Sequence, residues 1–182
     1  MTLWGSQNGR VDVYSMTPKD LRVILDIERR TAPRHQSYLA RQASAGIDQF
    51  TIEPPWDDCA FRLAVAGART GAILVAELDA EIVGFSVCVG TPESSYAHIL
   101  KVAVPCKPSG DQVAHALLGA VAAEMCDRGF RQLVIQVDER HARALRILTS
   151  PMFTHLTTHP GPVNGPARVC LLIRPLGKPH CR

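Results

Sequence analysis

The sequence predicts an α+β domain with a mixed β-sheet. Two β-rich runs, residues 72–78 and 82–89, flank a short turn and predict an antiparallel hairpin. A strand-like run at 94–104, a helical run at 111–128 and a second strand at 131–137 then follow one another. Because two strands joined through a helix normally run parallel, the sheet should contain one parallel crossover. The 182 residues suffice for one domain with a full hydrophobic core.

The first part of the chain predicts one strand and two helices. Residues 11–17 alternate apolar and polar side chains, as a half-buried strand does. Pro18 suits the first turn of a helix. That helix carries an apolar stripe at helical spacing, formed by Leu21, Ile24, Leu25 and Ile27. Residues 32–52 follow neither period clearly, and Asp57 is a candidate N-cap for a helix over 58–67.

The last part of the chain predicts one more helix and two closing strands. The helix at 111–128 should end at Gly129, because glycine readily adopts the C-cap conformation. A short helix over 139–150 should stop before the next proline. Residues 153–159 and 167–176 are expected to form strands joined by a Gly- and Pro-rich link. The predicted order is therefore β-α-α-β-β-β-α-β-α-β-β.

Composition and charge exclude several classes of function. A net charge of +3 and an aromatic content of 5% argue against nucleic-acid binding, which needs a concentrated basic surface or stacking side chains. The N-terminal residues lack the features of a signal peptide, and no run reaches the roughly 20 apolar residues of a membrane helix. The 6 cysteines have no CxxC spacing, so we expect free thiols and no metal site. We expect a cytoplasmic protein without membrane contact, with one domain over 11–176 and flexible ends at 1–10 and 177–182.

The stretch "KPSGDQVAHALL" at 107–118 poses the central question of the sequence. A strand, a loop and the N-terminus of a helix together form an arrangement that binds anions. The loop holds a single glycine, Gly110, whereas phosphate-binding loops commonly hold several. Two interpretations follow: an anion site for a cofactor, or an ordinary helix N-cap made by Ser109 or Asp111.

Four segments resemble the GNAT superfamily of acyl-CoA-dependent N-acetyltransferases. They are "EPPWDDCAF", "LVAELDAEIVGFSVCV", "VAVPCKPSGDQVAHALL" and "VDERHARALRILTSPMF", and the similarity extends over residues 11–176. They are most similar to the branch that acetylates protein N-termini, which includes the ribosomal-protein alanine acetyltransferases. The resemblance implies a twisted, mostly antiparallel sheet with one splayed parallel strand pair, flanked by helices. It also implies acetyl-CoA as co-substrate, a protein N-terminus or a small amine as acceptor, and a monomer or homodimer.

The resemblance assigns a cofactor-binding region. The family loop, Arg/Gln-x-x-Gly-x-Gly/Ala, falls on residues 109–114, where Ala114 keeps a family residue and Ser109 and Gln112 do not. In this family backbone amides and the helix dipole hold the pyrophosphate, so side-chain changes are tolerated unless they block its approach. The Gln112 side chain and the Asp111 charge are expected to hinder it.

The strand before the loop is expected to bind the pantetheine arm through its backbone, as it would bind an added strand. Together with the loop, it completes the cofactor-binding set that the resemblance implies. That set is Val102, Ala103, Val104, Ser109, Gly110, Asp111, Gln112, Val113, Ala114 and His115.

The positions that usually hold the acid and the base carry unsuitable residues. In the protein N-terminal branch the base position falls on Gln136 and the acid position on Leu148, and neither side chain exchanges a proton. His98 matches the position of the Glu base in the histone acetyltransferase branch, and histidine accepts a proton near neutrality. His141, which falls on a cofactor-contacting Asn of the family, is a weaker candidate. His98 can also be a structural histidine of the sheet. Because Gln112, Gln136 and Leu148 all depart from the family pattern, a GNAT-fold pseudoenzyme that binds or regulates is the alternative function.

Overall fold

The computed structural model of the protein describes residues 10–31, 47–50, 57, 59–61, 70–90, 93–106, 109–149, 152–160 and 168–177. Residues 59–61 are helical. The other helices and strands of these ranges are β1 (Val11–Ser15), α1 (Leu21–Thr31), β2 (Ile47–Gln49), β3 (Gly71–Leu78), β4 (Glu81–Gly90), β5 (Tyr96–Pro105), α2 (Ser109–Asp127), β6 (Gln132–Asp138), α3 (Ala142–Thr149), β7 (Thr154–Pro160) and β8 (Arg168–Pro175).

All these strands belong to one mixed sheet. The order across the sheet is β1-β3-β4-β5-β6-β8-β7, and β2 pairs separately with β5. β5 and β6, which are joined through α2, run parallel, and the other described pairs are antiparallel. This architecture confirms the predicted α+β class with one parallel crossover.

The predicted hairpin is the β3–β4 pair. It turns through Asp79 and Ala80, whose φ angles are 53° and 63°. Positive φ at both turn residues defines a type I′ turn, one of the two-residue turns whose twist matches the twist of the strands. Left-handed backbone costs a residue with a Cβ about 1–2 kcal/mol, so the pairing of two long strands outweighs this local cost.

β5 and β6 pair along only part of their length. The parallel pairing ends where Ile99 lies opposite Ile135. The register between β4 and β5 shifts directly afterwards, so Leu100 is the extra residue of a bulge. Beyond that point β5 continues to Pro105 without pairing to β6. The splayed parallel pair that the family resemblance implied is therefore confirmed.

Each face of the sheet carries its own core. The larger core lies on the side of α2 and α3 and includes Leu117 and Leu148, and we call this side the α2 face. The smaller core lies on the side of α1 and includes Ile24, and we call this side the α1 face. Side chains of β5 alternate between them, so Val102 belongs to the α2 face and Ala103 to the α1 face.

Two features of the helices and strands differ from the sequence prediction. α2 begins at Ser109, two residues before the predicted start, and it ends at Asp127. Gly129 then has a φ of 90°, as the predicted C-cap requires. β2 was not predicted, because three residues inside a segment without a clear period give no strand signal.

Several predictions fall outside the described residues. Of the helix predicted over 58–67, residues 59–61 are helical and the others are not described. Residues 1–9 and 178–182, which make up most of the predicted flexible ends, are also outside. No helix in the described part of the chain combines the length and the hydropathy needed to cross a membrane.

Candidate functional site

The end of β5 and the start of α2 pack directly against each other. A Cβ atom placed on Gly110 would lie 1.8 Å from the carbonyl oxygen of Pro105 and 2.7 Å from Nη2 of Arg143. A side chain at this position would therefore force the backbone apart. The same Nη2 donates to the Pro105 carbonyl at 3.0 Å. The single glycine of the loop is thus explained by the close approach of strand, helix and arginine.

Two arginines of α3 hold the carboxylate of Asp111. Nε and Nη2 of Arg143 donate to Oδ1 at 3.0 and 2.8 Å, and Nη2 of Arg146 donates to Oδ2 at 2.8 Å. The hydrogen bond from Arg146, followed by the bonds and charge of Arg143, holds the pKa of Asp111 below its ordinary value of 3.8, although burial opposes the shift. The three side chains together carry one net positive charge beside the N-terminus of α2. The repulsion expected from Asp111 is therefore offset by a partnership that the sequence did not reveal.

The first turn of α2 presents backbone amides. A helical amide donates to the carbonyl four residues earlier, so the amides of Ser109, Gly110 and Asp111 have no acceptor within α2. Val113 and Ala114 differ, because the helix itself offers acceptors to their amides and their side chains are fully buried. The amides suited to an anion are therefore those of the earliest residues in the predicted loop.

The other two predicted loop residues point outward. The side chain of Gln112 is exposed, so it lies outside the core beneath the helix. His115 is exposed as well, and its Nδ1 lies 2.6 Å from the carbonyl oxygen of Asp111, one turn earlier. This contact fixes the imidazole beside the first turn of α2.

The edge of β5 beyond the bulge is paired with β2. Asp48 lies opposite Val104, and the amide of Phe50 donates to the carbonyl of Val102 at 2.9 Å. Ala103 pairs with β4 on its other side, so β2 runs along the edge of β5 that faces β6. The backbone edge predicted to bind a pantetheine arm is therefore engaged by a segment of the chain itself.

Phe50 and His141 meet beside this edge. Phe50 is fully buried in the α2-face core, and its ring centroid lies 5.8 Å from that of His141 in an edge-on arrangement. His141 is 5% exposed, and its Nδ1 accepts the amide of Ala144 at 3.2 Å. This bond caps α3 and places the proton of a neutral ring on Nε2.

His98 lies on the α1 face of the sheet. Its neighbours Ala97 and Ile99 belong to the α2-face core, so alternation directs the imidazole to the opposite side. Its backbone is opposite Val134 of β6, one residue before the parallel pairing ends. The ring is half-buried and stands edge-on to Tyr96 at 6.1 Å.

The two positions that the family usually fills with a base and an acid lie on opposite faces. Gln136 is half-buried between Ile135 and Val137, which belong to the α2-face core, so its side chain shares the α1 face with His98. Leu148 is fully buried within the α2-face core. Neither of these side chains exchanges a proton, so His98 is the titratable side chain of the predicted set on the α1 face.

A buried ion pair that the sequence analysis missed lies on the same face. Nζ of Lys101 is 2.6 Å from Oε1 of Glu28, and the side chains are 0% and 2% exposed. Two signals were available. Lys101 interrupts the apolar run "AHILKVAV", and Glu28 follows Ile24 by four residues on the buried stripe of α1. The pair ties α1 to β5 two residues beyond the last parallel pair of β5 and β6.

Comparison with known proteins decides the family. The sequence profile described as the acetyltransferase (GNAT) family matches residues 30–149. The chain belongs to the GNAT acetyltransferase family. No curated protein matches its sequence.

Solved structures of GNAT proteins share the whole fold. The ribosomal-protein-S18-alanine N-acetyltransferase from Escherichia coli has a TM-score of 0.65 at 19% identity, covering 92% of this chain and 94% of that one. An acetyltransferase of the GNAT family from Streptococcus pneumoniae has a TM-score of 0.71 at 14% identity, covering 92% and 100%. The PaiA N-acetyltransferase from Thermoplasma acidophilum, solved in complex with coenzyme A, has a TM-score of 0.66 at 10% identity, covering 91% and 99%.

Family membership gives the geometry of this GNAT chain a chemical context. Proteins of the family bind acetyl-CoA or coenzyme A, and acetyl-CoA-dependent acetylation is the general chemistry that membership assigns. Among the described residues, no group of three or more His, Cys, Asp or Glu side chains is placed to hold a metal ion. The predicted cofactor-binding residues lie on β5 and in the first turns of α2, and His98 and Gln136 lie on the α1 face.

Proposed function

We propose that this GNAT chain is an N-acetyltransferase that moves the acetyl group of acetyl-CoA directly to a primary amine, either a protein N-terminus or a small amine. The observation that carries the proposal is the cation-flanked N-terminus of α2, placed at the end of the splayed strand β5. An anion at that point meets backbone amides, the positive end of a helix dipole and two guanidinium groups. The pyrophosphate of acetyl-CoA has the charge that such a site favours.

The cofactor is proposed to bind along β5 and α2. Its pyrophosphate contacts the amides of Ser109, Gly110 and Asp111, and the guanidinium groups of Arg143 and Arg146 supply the charge that the family loop usually provides. Its pantetheine arm pairs with the backbone of residues 102–104, as an added strand does. Gln112, Val113, Ala114 and His115 complete the first two turns of the helix around this site.

The chemistry is proposed to take place where β5 and β6 part. The amine nitrogen attacks the thioester carbonyl carbon, the carbon–sulfur bond breaks, and the thiolate leaves with its electron pair. His98 takes the proton that the amine loses, because it lies on the α1 face next to the last parallel pair. His141 has the weaker role of donating a hydrogen bond from Nε2 to the departing thiolate, since its Nδ1 accepts the amide of Ala144 in α3, and the thiolate then takes its proton from solvent.

Binding and turnover test the proposal separately. Acetyl-CoA at about 100 times its Kd should stabilise the protein by about 2.7 kcal/mol in a thermal-shift titration. Mass spectrometry should then detect an acetylated product among peptides with different N-termini and small primary amines. No stabilisation at millimolar acetyl-CoA contradicts the proposal.

A second candidate function, a GNAT-fold binding or regulatory module without transfer activity, is favoured by two observations. Gln136 and Leu148 stand where the family usually has its base and acid. β2 and Phe50 also engage the edge of β5 that the pantetheine arm needs. Stabilisation by acetyl-CoA without any acetylated product across the amine panel supports this second candidate.

A further inference from the structure

Residues 47–50 form a short segment that we call the strap. Its three strand residues pair antiparallel with residues 103–105 of β5, and the amide of Phe50 extends the ladder by donating to Val102. The strap therefore lies along the part of β5 that β6 leaves unpaired. Phe50 ends it with a fully buried ring.

The strap and an extended ligand arm need the same atoms. Backbone groups of successive strand residues point to opposite edges. Since the Val102 carbonyl accepts from Phe50, the backbone groups of Val102 and Val104 face the strap, and those of Ala103 face β4. An arm that pairs with residues 102–104 on the splayed edge therefore finds its partners engaged.

The ring of Phe50 adds a second, independent obstruction. It inserts into the α2-face core and stands edge-on to His141, the residue at the family's cofactor-contacting position. An aromatic ring that is 0% exposed leaves no space for another group at the same point. Backbone pairing and side-chain packing thus place the strap where the cofactor arm would lie.

We propose that the strap is an autoinhibitory segment that acetyl-CoA must displace before it binds. This inference rests on the proposed acetyl-CoA site and adds a regulatory step to it. Within the described part of the chain, the strap is held by a short ladder on β5, its contacts with α1 and the ring of Phe50, so its release is a local opening of the kind that proteins undergo without global unfolding. The apparent Kd for acetyl-CoA equals the intrinsic Kd divided by the fraction of molecules with the strap released, so a released fraction of about 10% weakens binding about tenfold.

A reversible covalent lock tests the proposal most directly. Gln49 and Ala103 are directly opposite each other, and they form a non-hydrogen-bonded pair, because the neighbouring Phe50 bonds to Val102. Such pairs bring Cα atoms to about 4.5 Å, within the range that a disulfide spans. In the double variant Gln49→Cys/Ala103→Cys, oxidation should abolish acetyl-CoA binding measured by calorimetry, and reduction should restore it. The single variant Gln49→Cys, treated in the same way, is the control for oxidation of the native cysteines.

Two separate proline substitutions test the opposite effect, release of the strap, without changing a core residue. Asp48 directs its amide towards Val104, so Asp48→Pro removes a hydrogen bond of the strap and should tighten acetyl-CoA binding about tenfold. Gln49→Pro changes an amide that points away from β5 and should leave the Kd unchanged.

The outcomes separate this inference from the proposed function. An oxidised double variant that binds acetyl-CoA as well as the reduced one, with Asp48→Pro equal to the unmodified protein, overturns the strap while leaving the acetyl-CoA site in place. Absence of acetyl-CoA binding in every variant, Asp48→Pro included, overturns both. Loss of binding on oxidation, together with tighter binding in Asp48→Pro, supports the strap.

Discussion

The ammonium group of Lys101 lies 2.6 Å from the carboxylate of Glu28, and both side chains are withdrawn from solvent. Removing one partner leaves a buried charge, which typically costs 3–5 kcal/mol. We therefore expect Lys101→Met to destabilise the protein by about 3–5 kcal/mol in urea unfolding. The double variant Lys101→Met/Glu28→Leu should recover most of this loss, because two apolar side chains then replace both charges.

An exposed ion pair provides the control for these two variants of the buried pair. Arg10 and Asp12 are 3.0 Å apart, but their side chains are 90% and 61% exposed. Asp12→Asn should change the unfolding midpoint little, since solvent screens such pairs. A double variant no more stable than Lys101→Met would show that the two charges do not act as a unit.

The carboxylate of Asp111 predicts a specific dependence of stability on pH. Its pKa is lowered in the folded protein, chiefly by the hydrogen bond from Arg146, so it contributes stability above its ordinary value of 3.8. That contribution is lost as the pH falls through the lowered pKa. Asp111→Asn should therefore destabilise the protein at neutral pH by about 1 kcal/mol and flatten the stability curve below about pH 4.

The acid limb, meaning the fall in the free energy of unfolding at low pH, should not disappear completely in Asp111→Asn. Asp138 also has a pKa below its ordinary value of 3.8, mainly because of its hydrogen bonds with Arg140, so its contribution to stability is likewise lost in acid. Asp138→Asn should remove the other part of the limb, and the double variant should remove both. Unfolding by urea between pH 2.5 and 7 measures these effects, and an unchanged acid limb in Asp111→Asn contradicts the prediction.

The fold could be predicted because its signals are local. The hairpin, the crossover helix and its Gly129 cap each follow from the period or the turn chemistry of neighbouring residues. The contacts that define the site are not local. Asp111 bonds to Arg143 and Arg146 across 32 and 35 residues, and Glu28 bonds to Lys101 across 73. A pattern of neighbouring residues carries no information about which distant charges the fold brings together.

The strap shows the same limit of sequence-based prediction, here for a short strand. Three paired residues are too few to display an alternation, and their pairing with β5 is fixed by where β6 turns away. The earlier start of α2 has a comparable cause, since Gly110 becomes helical where it packs against the carbonyl of Pro105. Such boundaries depend on the tertiary contacts that the folded chain makes.

The charge balance around Asp111 predicts opposite effects of two substitutions on acetyl-CoA affinity. Arg146→Met removes the net positive charge of the cluster and should weaken binding about tenfold, the effect of one charge-assisted hydrogen bond. Asp111→Asn adds a net positive charge and should tighten it. Arg22→Met, at an exposed position of α1, is the control for total charge and should leave the Kd unchanged. Calorimetry at low ionic strength measures all three, and equal affinities would exclude the cluster from the pyrophosphate site.

The close packing at Gly110 predicts a contrast between two glycines of α2. Gly110→Ala would place a Cβ 1.8 Å from a backbone oxygen, so we expect a loss of about 1–3 kcal/mol. Gly119 has no atom within 4 Å of the corresponding position and lies inside the same helix. Gly119→Ala should therefore stabilise the protein by about 0.5–1 kcal/mol through higher helix propensity. Two variants of equal stability would show that β5 and α2 do not meet as closely as the structure indicates.

The position of His98 predicts a change in turnover without a change in cofactor binding. His98→Gln keeps a polar side chain on the α1 face but cannot accept the amine proton, so kcat should fall about 100-fold. The KM for acetyl-CoA should stay the same, because the proposed cofactor contacts are made by residues 102–104 of β5 and by the first turn of α2, not by the imidazole of His98. His155→Gln, at an exposed position of β7, is the matched histidine control and should leave both constants unchanged. A steady-state assay with a reactive amine measures both constants, and an unaltered kcat in His98→Gln would make this histidine a structural residue of the sheet.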